Sequence, residues 1–330
     1  MLKTFSATLT PMLALFFFMA VGFIARKARI LPENAGKVMA QMETWIFCPA
    51  LSFITMAKFF TPASVKTHAL NLIFSSVCVA IGIGTAIFLA RFFVKDKRDP
   101  ERGIYNYALA FANGGYVGDP VVLALFGDVA LSYYKLFYMP FSVLIYVWGI
   151  GQLVPRTEGK QNALVRILNA PTVALFLGIL FGLTGLGEHI PVFVDSALCS
   201  LRDCMGPVAM LLAGFTVASY NMREMLKEKK VYIASFLRLC ILPAIALSLL
   251  FALKLFFTSV LHIEMDNRVL CFAFFATAGP LGLNTVVFPE AYGGSPKTGA
   301  SMALISHTLC VLTIPIMYAL MVAVFGPITF

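Results

Sequence analysis

The chain has 330 residues, of which 60% are hydrophobic and only 12% charged, with a formal net charge of +9; an ordinary soluble domain is roughly a quarter charged. So much apolar surface excludes a water-soluble domain, and continuous apolar stretches in place of alternating ten-residue segments exclude a membrane β-barrel. The basic residues lie in short loops between the stretches rather than along one face, which speaks against a nucleic-acid partner.

What remains is an all-α polytopic membrane protein, with the lipid bilayer as its surroundings. Ten apolar segments follow in chain order: 6–25, 36–58, 69–94, 103–126, 129–154, 163–184, 191–219, 231–257, 268–291 and 298–326. The first is followed, not preceded, by Arg26, Lys27 and Arg29, the reverse of a secretory signal, so it is expected to remain as a span. The loops after the odd-numbered spans hold seventeen Lys and Arg residues against six on the opposite side. The positive-inside rule therefore predicts a multi-pass protein of the cell's inner (plasma) membrane with both termini outside the cytoplasm. The seven cysteines show no metal-ligand spacing and read as small buried hydrophobes, so no cofactor or metal is expected.

The ten segments divide at a cytoplasmic linker, 155–162, into two five-helix halves, 1–154 and 163–330. An odd number of spans per half turns the second half upside down, the inverted-repeat arrangement of secondary transporters. Proline spacing agrees: Pro11 and Pro171 are 160 residues apart, Pro32 and Pro191 159, Pro49 and Pro207 158, and Pro120 and Pro280 160, with Gly22 and Gly182 again 160.

Spans 4 and 9 are predicted to break at membrane depth. Span 4 holds Asn113, Gly114, Gly115, Gly118 and Pro120; span 9 holds Gly279, Pro280, Gly282 and Asn284. Glycine and proline can serve packing alone, but breaks at corresponding depth in both halves are the best sequence pointer to a midplane site. Asp119 before Pro120 reads as a helix N-cap, and Asn284 as a matching cap in span 9. Two positive helix ends and the Asn113 and Asn284 amides favour an anionic ligand. The expected substrate-binding residues are Asn113, Gly114, Gly118, Pro120, Pro280, Gly282 and Asn284.

Other ionisable residues at membrane depth are Glu43, Asp119, Asp195, Arg202, Asp203, Arg238 and His307. Asp195 and Arg238 are expected to reach the headgroups by snorkelling. Arg202 and Asp203 are neighbours on one helix and are expected to point apart. Glu43 precedes Asp203 by 160 residues, the repeat offset. Asp119, Asp203 and His307 are the candidates for coupling to H+ or Na+, His307 through its near-neutral titration or, alternatively, as a packing histidine.

These residues resemble the auxin efflux carrier family, which includes bacterial malate and malonate permease-like proteins and the plant PIN carriers. The resemblance covers essentially the whole chain: GFIARKARILPE at the exit of span 1, FCPALSF in span 2, NGGYVGDPVVLALFG in span 4, RLCILP from Arg238 to Pro243, GPLGLN in span 9 and TIP at Thr313 to Pro315. The span-4 pattern of Asn113, Gly118, Pro120 and Gly127 is the most specific part. The resemblance implies two inverted five-helix repeats with helices 4 and 9 broken and crossing. It also implies a scaffold of helices 1, 2, 6 and 7, a transport domain of helices 3–5 and 8–10, and a small organic anion as cargo. A homodimer through the scaffold helices is a candidate assembly. Two departures stand out: Asp119 occupies an ordinarily apolar position, and span 3 has no acidic residue. An anion facing a fixed carboxylate is repelled, so Asp119 is expected either to turn away as a cap or to hold a proton or cation.

Other functions fit less well. An intramembrane aspartyl protease wants G-x-G-D, whereas Gly115 to Asp119 reads G-x-x-G-D. The GGSPKTG loop has Pro296 where a phosphate-binding loop needs glycine, and residues 129–154 lack the acidic pair of a sodium/proton antiporter. The runner-up is a sodium-coupled symporter of the bile-acid type, with oxygen ligands from Asn113, Asp119, Asn284 and Thr285.

Overall fold

The computed structural model describes residues 2–67, 69–154, 169–260, 262, 267–292 and 295–326. The expected linker at 155–162 and the first residues of span 6 lie outside the described residues. Among those described, the chain consists of helices joined by turns and short loops, with one isolated backbone bridge.

Helix α1 (Leu2–Lys27) ends on Arg26 and Lys27. Helices α2 (Ala35–Met42) and α3 (Cys48–Phe59) are joined by a π turn, Glu43–Phe47. After the short α4 (Pro62–Thr67) come α5 (Ala69–Phe93) and α6 (Pro100–Ala110). Asp99 caps α6 by accepting from the Glu101 N–H at 2.9 Å, with Pro100 following at the first helical position. A π turn, Gly114–Gly118, leads into α7 (Asp119–Leu144), and a further π turn, Ile145–Gly149, into α8 (Ile150–Leu153). The second half holds α9 (Ala170–Thr184), α10 (Val192–Ser219), α11 (Met222–Met225) and α12 (Lys229–Phe236). A π turn at Leu237–Ile241 joins α12 to α13 (Leu242–Val260), and α14 (Arg268–Thr277), α15 (Asn284–Tyr292) and α16 (Lys297–Phe325) complete the described helices.

Among the described residues, six stretches are long and apolar enough to cross a bilayer: Leu9–Lys27, Ala69–Phe93, Val129–Leu153, Val192–Ser219, Lys229–Val260 and Lys297–Phe325. Shorter apolar helices cover Gly114–Gly127, Ala170–Thr184 and Arg268–Thr277. The chain is thus a multi-pass membrane protein. Spans 4 and 5 of the sequence reading meet without a loop at Gly127, whose φ of 80° and ψ of −175° fold α7 sharply; an L-residue with a side chain is strained there.

Three of the π turns end two residues before a proline: Phe47 before Pro49, Gly118 before Pro120 and Ile241 before Pro243. A proline has no N–H to donate to the fourth carbonyl behind it, so the preceding turn widens instead of continuing as α-helix. These wide turns carry Glu43, Tyr116 and Arg238.

Helix α1 lies against α10 and α3 against α9 with backbones nearly touching. A Cβ on Gly22 or Gly214 would overlap the Leu211 or Met19 carbonyl, and one on Gly178 or Gly182 would overlap Phe53 or Met56. Elsewhere the core is aromatic: Tyr134, Phe137 and Phe141 of α7 are buried, and Tyr134 and Phe137 each lie 6.3 Å, centroid to centroid, from Phe272 of α14.

Candidate transport site

The helical path stops at Phe111 after α6 and at Ala278 after α14, and the two interruptions meet. Ala112 and Leu281 form an antiparallel bridge, and the Asn113 N–H donates to the Pro280 carbonyl at 2.9 Å. Breaking a helix inside a bilayer frees backbone groups that must find partners within the protein. Arg238 supplies one: its Nη1 donates to the Leu109 carbonyl at 2.9 Å and to that of Ala110 at 3.5 Å, at the negative end of α6. Tyr138 donates to the Ala112 carbonyl and Tyr134 to that of Gly114, each at 3.4 Å, and Ser306 Oγ accepts from the Leu281 N–H at 3.2 Å.

Beside the crossing lies a cavity of about 60 Å³ lined in part by Ser52, Asn113, Tyr116, Lys135, Tyr146 and Asn284. This is room for a few waters, so any ligand larger than that must widen it. Asn284 is held by two phenols: its Nδ2 donates to Tyr107 at 2.7 Å and its Oδ1 accepts from Tyr116 at 3.3 Å. The Asn113 Nδ2 stands 3.0 Å from His307 Nε2. An amide nitrogen can only donate, so Nε2 accepts and the imidazole carries its proton on Nδ1.

Of the residues expected from sequence, Asn113, Gly282 and Asn284 line the cavity, and Pro280 joins through its carbonyl. Gly114 packs on the Tyr138 ring and Gly118 against the Tyr134 hydroxyl, one layer behind the cavity. Pro120 is the second residue of α7. His307 is buried behind Asn113, whereas Asp203 is exposed and paired with Arg202.

Several expectations need correction. Asp119 caps nothing: the chain is already helical from Gly114, and the Asp119 carboxylate pairs with Lys135, both side chains being mostly buried. Asn284 is not a cap either, since its side chain is taken up by Tyr107 and Tyr116. Arg238 does not snorkel; it is 2% exposed because the freed carbonyls of α6 need its donors. Arg202 and Asp203 do pair, at 2.8 Å, because on a surface helix long side chains swing back toward each other. The residue missed altogether is Lys135, which sequence reading counts with the outer-side charges. A signal was present: Asp119 and Lys135 each stand eight residues from Gly127, so a sharp fold there sets them at one depth, about 12 Å from the turn.

A second hollow, about 640 Å³, opens at the start of α6 and α16, with Lys97, Arg98, Arg102 and Lys297 among its walls and the Asn106–Gln152 hydrogen bond, 3.1 Å, at its side.

Comparison with known proteins agrees with a transporter. The family model described as membrane transport protein matches residues 7–163 and 159–318. The chain is also similar to an uncharacterized transporter of Methanocaldococcus jannaschii, 22% identical over 303 residues, which cover 89% of this chain and 92% of that protein.

Proposed function

The chain belongs to the membrane transport protein family, and from that premise we propose that it is a secondary transporter of a small organic anion, a mono- or dicarboxylate such as malate or malonate. Transport proceeds by alternating access around the crossing of Asn113 and Pro280. The observation that carries this reading is the cavity beside the crossing, where Lys135 offers a cation and Asn113 and Asn284 offer amides to a carboxylate.

The architecture in this reading is ten spans in two inverted five-helix repeats, 1–154 and 163–330, with helices 1, 2, 6 and 7 as scaffold and the rest as the moving part. The pairing of α1 with α10 and of α3 with α9 supports it, because exchanging the halves exchanges these two pairs. Gly22 and Gly182, one in each pair, are 160 residues apart and both meet a partner's backbone. Both termini lie outside the inner membrane, and a second copy docks on the scaffold helices.

Lys135 answers the difficulty that Asp119 posed. The carboxylate is neutralised by its neighbour, and an arriving anion competes with it for the ammonium. The sodium-symport reading has to displace Lys135 before the Asp119 carboxylate can hold a cation. A protease reading lacks its facing pair, with Asp203 held by Arg202 at the surface.

A thermal-shift screen of purified protein against mono-, di- and tricarboxylates tests the proposal, since a ligand at 100 times its dissociation constant stabilises by about 2.7 kcal/mol. A shift with one carboxylate class that also crosses reconstituted vesicles is expected; no shift with any carboxylate overturns the reading.

A further inference from the structure

Glu43 is fully buried in the π turn between α2 and α3. Its Oε1 has no hydrogen-bond partner, and its Oε2 has only the Cys48 thiol at 4.0 Å. The titratable groups facing it are Cys48 on its own helix and Tyr116 on the crossing. On the elements packed against its turn, Glu290 of α15 lies beside Gly36, seven residues earlier, with Tyr292 following it, and Arg202 and Asp203 of α10 pair with each other at the surface. Among the described residues, no cation lies within ion-pair distance of Glu43.

An ionised carboxylate in that setting is an uncompensated buried charge, which a protein avoids. The neighbours also identify what neutralises it. A thiol, the Met205 thioether beyond it at 3.9 Å and a phenol are poor ligands for a hard cation such as Na+, whereas a neutral acid needs none. The same contacts lead to the substrate cavity: Cys48 Sγ is 3.7 Å from the Tyr116 hydroxyl, which donates to Asn284. Tyr116 belongs to the crossing and Cys48 to the helix beside it, so the chain of contacts spans the surface along which the cavity must open.

We infer that Glu43 is the proton-binding site that couples substrate movement to the proton gradient. The carboxylate takes up one H+ when the cavity opens to one side, carries it as the neutral acid while Tyr116 closes over Cys48, and releases it when the opposite opening hydrates the turn. One proton then accompanies each cycle, which makes transport of a monoanion electroneutral and leaves a dianion one net negative charge. The inference rests on the transport reading above, and its test separates the two.

Infrared difference spectra of the purified protein at neutral pH are expected to contain a protonated-carboxyl stretch that Glu43→Gln removes and Glu43→Asp retains at a shifted frequency. In vesicles clamped at zero potential, labelled malonate is the probe. An inside-alkaline gradient of about one pH unit is expected to raise its accumulation about tenfold in the wild type and in Glu43→Asp, and to leave Glu43→Gln unchanged while malonate exchange continues. Absence of the band, or gradient-driven uptake in Glu43→Gln equal to the wild type, overturns the inference. If the wild type moves no malonate but the band is present, Glu43 still holds its proton, malonate is excluded as cargo, and the gradient test is repeated with the carboxylate found by thermal shift. No transport of any carboxylate overturns the transport reading and leaves the protonated Glu43 standing.

Discussion

Asn113 and His307, 194 residues apart in the chain, meet at 3.0 Å with both side chains buried, and the imidazole fixes which way the amide faces. The amide of Asn284 is fixed in the same manner by two tyrosines. The two asparagine side chains are thereby held in place before a ligand arrives, and the cost that remains is widening the cavity.

Replacing Asn113 or Asn284 by Ala is expected to weaken substrate binding at least tenfold while leaving the protein folded and inserted. A hydrogen bond to a charged ligand is worth roughly 1.5–3 kcal/mol. His307→Phe, which frees the Asn113 amide without removing it, is expected to cost less than Asn113→Ala. Titration calorimetry with the carboxylate found by thermal shift measures all three; wild-type affinity in both asparagine variants would move the site away from the crossing.

Lys135→Gln is expected to abolish binding and also to destabilise the protein by about 3–5 kcal/mol, because Asp119 is left as an unpaired buried charge. The double variant Asp119→Asn with Lys135→Gln is expected to recover most of the thermal stability but none of the binding. Recovery of binding in the double variant would reduce the pair to a structural brace.

Arg238→Met removes the donor that covers the Leu109 carbonyl at the end of α6. A buried carbonyl without a partner costs about 1–3 kcal/mol, so a lower melting temperature in detergent is expected, accompanied by weaker binding as the crossing loosens. An unaltered melting temperature would mean that water takes over the carbonyl.

Tags on either terminus are expected to react from outside the cell, and a tag between Met222 and Lys230 only from the cytoplasm. The motivation is the uneven distribution of Lys and Arg among alternate loops. Termini labelled from opposite sides would rule out an even number of spans.

Much of this arrangement was legible in the sequence because lipid imposes simple rules. Apolar length marked the six stretches that can cross a bilayer, and the interruptions at Gly114 to Pro120 and Gly279 to Gly282 marked where the two broken segments meet, since backbone cannot break inside hydrocarbon without reason. Side-chain pairing was less legible. Lys135 read as an edge charge because a linear count of residues carries no information on which helix faces which. The cap assigned to Asp119 followed a sound local rule, an acid before a proline, but the missing proline N–H acts one turn earlier and widens Gly114–Gly118 into continuous helix. The buried role of Arg238 was hidden in the same manner, because its partners lie on α6, 128 and 129 residues away.

Where α1 meets α10 and α3 meets α9 through glycines, no layer of side chains separates the backbones. Sliding one of these helices along its partner by a fraction of a turn would drive a carbonyl oxygen into a Cα, so each pair resists shear and moves as a single stiff piece. Softness is left to the faces filled by long, adaptable side chains such as Met56 and Met205, which are among the walls of the cavity. A bilayer that presses on this protein from the side would therefore change the shape of the cavity before it strained the frame around it.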